Sequence, residues 1–142
     1  MKRSARTAAA LGAMAALALT VAGCAPAEEA AQEEISIAFV MGAESDPFFQ
    51  AMKLGAEEEA AAQGVTLIWQ GDPSNYSPET QIPIVDAVLA QQPSGLVLIP
   101  TDPKALQASV AKAVAAGIAV ANVDTRVDDL TDVVTFITGD NK

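Results

Sequence analysis

Residues 35–41 read ISIAFVM, an uncharged run in which Ile35, Ile37 and Val40 are β-branched. Runs of the same kind return as VTLIWQ at 65–70, GLVLI at 95–99, IAVANV at 118–123 and VVTFI at 133–137. Short, almost continuously apolar segments rich in β-branched residues suit strands that are buried on both faces. Between the first four lie helix-like stretches at 46–63, about 78–91 and 103–116. In the first of these, Phe49, Met52, Ala56 and Ala60 recur at helical spacing. Gly64 and Gly117 stand where a left-handed residue would end a helix before the next strand. Pro83 fits the second helix if that helix starts near Thr80, because a proline in the first turn removes no intrahelical bond. Strict alternation of strand and helix, with right-handed crossovers, predicts an α/β fold: a doubly wound parallel sheet.

Outward from this core, the amino terminus has a different character. Lys2, Arg3 and Arg6 precede an uncharged apolar run at 7–21, the order of a secretory signal. That run is shorter than the roughly 20 residues a membrane-spanning helix needs, so residues 1–23 read as a removable signal peptide. Val21-Ala22-Gly23-Cys24 ends it and is similar to the lipobox of bacterial lipoproteins, which implies lipidation at Cys24. Cys24 is the only cysteine, so no intrachain disulfide forms. Residues 24–34, with the sequence CAPAEEAAQEE, hold no large aliphatic or aromatic side chain and read as an acidic tether. Residues 35–142 make one domain.

Charge and composition narrow the function. From Cys24 onward there are 5 basic and 18 acidic residues, a net charge of −13, which repels phosphate backbones and anionic lipid surfaces. Nucleic acid is therefore not an expected partner, and membrane attachment falls to the lipid. The sequence has no histidine, which excludes histidine-based triads and imidazole metal sites. It has no GxGxxG or GxxxxGK[ST] phosphate loop either. No enzyme activity and no cofactor are expected.

In an open parallel sheet, ligands bind beyond the carboxyl ends of the strands. Asp46, Asp72, Asp102 and Asp124 follow the first four strand-like runs. Asp46-Pro47 and Asp102-Pro103 also suit a plain capping role, with aspartate accepting free N–H groups and proline opening the helix. Asp72-Pro73 suits a turn. Asp124 is the best candidate ligand, because TRVDDL after it does not resemble a helix start; the alternative is a turn aspartate bonded to its own backbone. Of Phe48 and Phe49, one ring belongs to the core and the other is free to face a ligand, offering its π face to the C–H surface of a sugar. Arg126 is a candidate cationic donor to hydroxyls, or else a solvated arginine paired with Asp128 or Asp129. Trp69 reads as a packed edge residue, with a stacking platform for a ligand as the alternative.

Taken in order, Asp46-Pro47-Phe48-Phe49, Lys53, Gly55-Ala56, Gln81, Ile99-Pro100-Thr101-Asp102, Ala116-Gly117-Ile118, Val123-Asp124-Thr125 and Gly139-Asp140-Asn141 resemble the type I periplasmic sugar-binding family. That is the group of ribose-, rhamnose- and autoinducer-type receptors, and the resemblance covers most of 35–141. It implies a two-lobe receptor, of which residues 35–142 are the amino-terminal lobe and the second lobe is absent from the sequence. It further implies that Asp46 contacts the sugar, that Phe48 and Phe49 lie at the sugar ring and that Asp124 accepts sugar hydroxyls. Thr125 stands where ribose-type members carry an arginine, with Arg126 one place later, and Gly42 stands where some members carry a hydroxyl residue.

The expected function is the substrate-binding component of an ABC-type sugar importer. It would act as a monomer outside the cytoplasmic membrane, lipid-anchored and working with permease subunits. The alternative is a lipoprotein that reports a sugar or autoinducer to a chemoreceptor or sensor kinase. A phospho-acceptor domain using Asp46, Asp102, Thr125 and Lys142 is a third arrangement, which the export signal opposes.

Overall fold

The computed structural model describes residues 34–139, so the expected signal peptide, Cys24, nearly all of the expected tether and residues 140–142 lie outside the described residues. Eight elements follow in order. They are β1 (Ser36–Ala43), α1 (Pro47–Gln63), β2 (Thr66–Asp72), α2 (Pro78–Leu89), β3 (Gly95–Leu98), α3 (Gln107–Ala115), β4 (Ala119–Val123) and β5 (Thr135–Ile137). All neighbouring strands pair in parallel, in the order β2-β1-β3-β4-β5. The α/β fold predicted from alternation is the fold observed.

Side-chain alternation along β1 separates two cores. Ala38 and Val40 point to one face, where Val85 and Val88 of α2 and Val110 and Ala113 of α3 cover them together with Leu96, Leu98 and Val120. Phe39 and Met41 point to the other, where Phe49, Met52 and Ala56 of α1 pack on them. The sheet therefore carries helices on both faces. Burial on both sides is reached only in the central strands β1 and β3, however. The outer strands β2 and β5 are half-buried or exposed, because they are sheet edges. In β4 only Val120 and Asn122 are buried. On the α1 side, Ile37, Val97, Ala119, Ala121 and Val134 line a shallow apolar depression.

One helix start falls where the stretch at about 78–91 is expected to begin, and one differs from its expected start. α2 begins at Pro78 rather than near Thr80, because the Ser77 hydroxyl caps it by accepting from the Thr80 N–H at 3.4 Å. Pro83 consequently lies inside the helix, on the exposed face, where water can bond the carbonyl that loses its partner. α3 begins at Gln107, not at Pro103, and residues 103–106 form a turn instead. Asp102 caps that turn: its Oδ1 accepts from the N–H groups of Lys104 at 2.9 Å and Ala105 at 2.7 Å. Gly64 (φ 66) and Gly117 (φ 78) take the left-handed backbone expected of them.

Candidate ligand-binding site

Because β2 and β3 lie on opposite sides of β1, the chain changes direction there and opens a crevice at the carboxyl ends of the strands. The loops after all five strands meet at that edge. Close to it, the β1–β2 pairing shifts register between Val40 and Ala43, a bulge that turns the end of β1.

The loop after β1 places Asp46 by capping. Its backbone is extended (φ −68, ψ 124), its Oδ1 accepts from the Phe48 N–H at 2.9 Å, and Pro47 opens the helix. Among the described residues, no hydrogen bond reaches its other carboxylate oxygen. Capping and ligand contact are thus compatible, one oxygen for each. The two phenylalanines divide as expected: Phe49 is 4% exposed and belongs to the core, whereas Phe48 is 52% exposed. Their rings meet edge to face at 5.4 Å.

Asp124 has no cap to make. It sits at φ 61, one of two non-glycine residues with positive φ among the described residues, and the Thr125 N–H donates back to the Val123 carbonyl at 2.7 Å. This is a γ-turn of the rare positive-φ hand, a strained backbone of the kind that concentrates at functional sites. Among the described residues, the only hydrogen bond to its carboxylate comes from the Thr125 hydroxyl at 3.4 Å. The alternative of a side chain folded onto its own backbone is not what is observed. The turn is pinned at both ends, by the Asp124 N–H donating to the Ile137 carbonyl at 2.8 Å and by fully buried Val127. Asn122, also fully buried, donates Nδ2 to the Leu98 carbonyl at 3.2 Å and accepts the Val127 N–H at 3.1 Å.

Asp124 is the wall between two depressions. One, of about 220 Å³, is lined by Phe48, Met52, Asp124 and Ile137 with Thr138 and Gly139. The other, of about 350 Å³, is lined by Asp124, Thr125, Arg126 and Phe136 with Pro103 and Asp128. Of the sequence candidates, Phe48 and Asp124 line the first depression together, while Thr125 and Arg126 line the second with Asp124. Arg126 is in no ion pair among the described residues; its guanidinium lies 5.9 Å from the centre of the Phe136 ring. Trp69 stacks on Phe39 at 4.6 Å as a packed residue.

One contributor, Tyr76, escaped the sequence reading, and another, Gln81, was named there only as part of the resemblance, without a role. Tyr76, in the loop after β2, stacks parallel to Phe49 with centroids 6.3 Å apart. Burial pushes its phenol above the ordinary value, the Thr125 hydroxyl acts the other way, and the charges of Asp124 and Asp46 raise it further. Its hydroxyl therefore lies in the field of both candidate aspartates. Its being the only tyrosine, between the Asp72 turn and the Ser77 cap, was a weak signal. Gln81, 1% exposed, donates Nε2 to the Ile99 carbonyl and accepts the Thr101 N–H, both at 2.8 Å. A lone amide on the same helix face as Val85 and Val88 could have revealed it.

Residues 37–142 match the model of the periplasmic binding protein domain. The chain belongs to this family. A D-ribose/D-allose-binding protein of Pseudomonas aeruginosa is 36% identical over 98 residues, which cover 68% of this chain and 31% of that protein. A ribose import binding protein of Bacillus subtilis is 28% identical over 116 residues, covering 82% of this chain and 37% of the relative. An ABC transporter solute binding protein from Agrobacterium vitis, solved with α-D-tagatopyranose bound, has a TM-score of 0.71 and 37% identity, over 76% of this chain and 39% of that one. The chain thus spans about a third of the length of the curated relatives it matches. Membership in the periplasmic binding proteins agrees with the resemblance carried by the Asp46 and Asp124 motifs. It disagrees with a phospho-acceptor domain, as does the engagement of Asp102 Oδ1 in capping.

Proposed function

We propose that this chain is the amino-terminal lobe of a substrate-binding protein that captures a monosaccharide or related polyol outside the cytoplasmic membrane for an ABC importer. The observation that carries this is Asp124: a carboxylate with one weak partner among the described residues, held in a strained turn that lines one depression together with the exposed ring of Phe48. Such a carboxylate accepts hydroxyl protons in charge-assisted hydrogen bonds, while the phenyl face receives the C–H surface of a sugar ring. Asp46 adds a second acceptor, and Arg126, steadied over Phe136, supplies a donor at the edge of the crevice. Binding followed by release to permease subunits needs no reaction at the sugar, so the role is that of a receptor, not an enzyme. The sugar ligands named for the relatives support the same ligand class.

The lobe would work with a second one closing over the crevice, and it would be tethered through residues 24–34 to a lipid on Cys24. Calorimetric titration of the intact gene product with D-ribose, D-allose, D-tagatose and polyols is the direct test. Binding near or below about 1 μM, equivalent to roughly −8 kcal/mol, is expected for one of them. Failure of every sugar and polyol to bind overturns the proposal.

A further inference from the structure

We propose that Tyr76 determines sugar specificity at this site, by filling the corner above Gly42 and by presenting its phenol as a donor among acceptors. This rests on the sugar-binding function proposed above.

The steric part comes from Gly42. A Cβ placed there would lie 2.2 Å from Cδ2 and 2.4 Å from Cε2 of Tyr76, and 2.9 Å from Cγ2 of Thr101. No side chain at position 42 can coexist with the tyrosine where it stands. The ring thus occupies the volume that a side chain at the end of β1 would otherwise use. It is backed by Phe49, whose plane is inclined to it by only 2°, and so resists being pushed inward. Its other side is open, leaving the residue 50% exposed at the strand-end edge. A ligand held by Phe48 and Asp124 that reaches toward this corner would meet an aromatic wall there. A ring position with a hydrogen or a bare hydroxyl is accommodated there; an exocyclic carbon directed at the same corner collides.

The chemical part comes from the neighbours of the phenol. Asp46 and Asp124 provide acceptors, and with burial they favour the protonated phenol. Tyr76 is then, with the Thr125 hydroxyl, a group in this cluster able to donate to a ligand oxygen without a charge of its own. Beneath the same corner, Thr101 Oγ1 is buried and without a hydrogen-bond partner among the described residues. A ring that moved aside would open this corner, where Thr101 presents its Cγ2 methyl, to a larger ligand. Tyr76 thus separates two ligand sizes: the smaller accepted with the ring in place, the larger only if it is removed.

The experiment is calorimetric titration of the intact protein and its Tyr76→Phe, Tyr76→Ala and Gly42→Ala variants with a panel of aldopentoses, aldohexoses and ketohexoses. Tyr76→Phe keeps the ring and should weaken the preferred sugar by about 2- to 10-fold without altering the order of preference. Tyr76→Ala should shift the affinity ratio of a larger over a smaller sugar by at least about tenfold, the effect expected of one carbon in a fitted pocket. Gly42→Ala should displace the ring and weaken the preferred sugar. Should Tyr76→Ala not fold, Tyr76→Phe and Gly42→Ala decide. Binding by the parent protein with affinities and preferences unchanged in the folded variants overturns the role of Tyr76 alone. No binding by the parent overturns the sugar-binding function, and this role falls with it.

Discussion

The backbone N–H of Asp124 donates to the carbonyl of Ile137 at 2.8 Å. The residue that turns the chain after β4 is thereby tied to the end of β5, and its carboxylate is aimed by backbone alone. Among the described residues, the one hydrogen bond to the side chain comes from the Thr125 hydroxyl at 3.4 Å.

This separation predicts an uncommon pair of effects. Asp124→Gly should preserve or raise the thermal midpoint, since glycine adopts φ 61 without steric cost. The same change should lose about 2 to 4 kcal/mol of sugar binding, because hydroxyls that had a charged acceptor are left unpaired. Thermal denaturation and calorimetry on one sample check both. Unchanged affinity would remove Asp124 from the site.

Gln81 predicts the opposite balance. Its amide serves the Ile99 carbonyl and the Thr101 N–H at once, holding the strand end that leads to Asp102. Gln81→Leu preserves volume but leaves both backbone groups unpaired in the core. Urea unfolding should show a loss of about 2 to 4 kcal/mol. A loss smaller than about 1 kcal/mol would mean that water replaces the amide there.

Tyr76 is the chain's only tyrosine. Its phenol is raised above 10.0 by burial first, with Asp124 and Asp46 adding and the Thr125 hydroxyl opposing. A raised folded value means that the folded protein holds the proton more tightly. The associated stability is fully present below pH 10.0 and is lost as pH rises through the folded value. Tyrosinate absorbance, taken as the difference from Tyr76→Phe, should give a midpoint above 10.0. Asp124→Asn should lower that midpoint by removing a repelling charge. A folded-state midpoint at 10.0 would contradict this environment.

Cys24→Ser tests the anchor. If Val21-Ala22-Gly23-Cys24 is processed as a lipobox, the variant should leave the membrane fraction or remain unprocessed. Fractionation and migration identical to the parent would refute lipidation at this residue.

The alternation of strand-like and helix-like segments was legible because burial is a local demand. A central parallel strand must be apolar on both faces, and β1 and β3 show this in their own residues. The edges were less legible: how far β2 and β5 are covered depends on which strands end up outermost. Helix ends followed from local chemistry at Asp46, Gly64 and Gly117. At α2 and α3 the chain chose between nearby starts, Ser77 capping one and Leu106 leading the other without a side-chain cap.

The candidate site divides along the same line. By itself the sequence determined that Asp46 and Asp124 would stand at strand ends, and that one of Phe48 and Phe49 would be free to face outward. Each depends on a few neighbouring residues. Only the tertiary structure decided that Phe48 is the outward ring, that Tyr76 lies over Gly42, that Arg126 rests on Phe136 and that the Asp124 turn is strained. The physical reason is distance along the chain. Residues 42 and 76, or 124 and 137, meet only because parallel strands bring remote loops to one edge of the sheet, and no local propensity encodes which side chains will then compete for the same space.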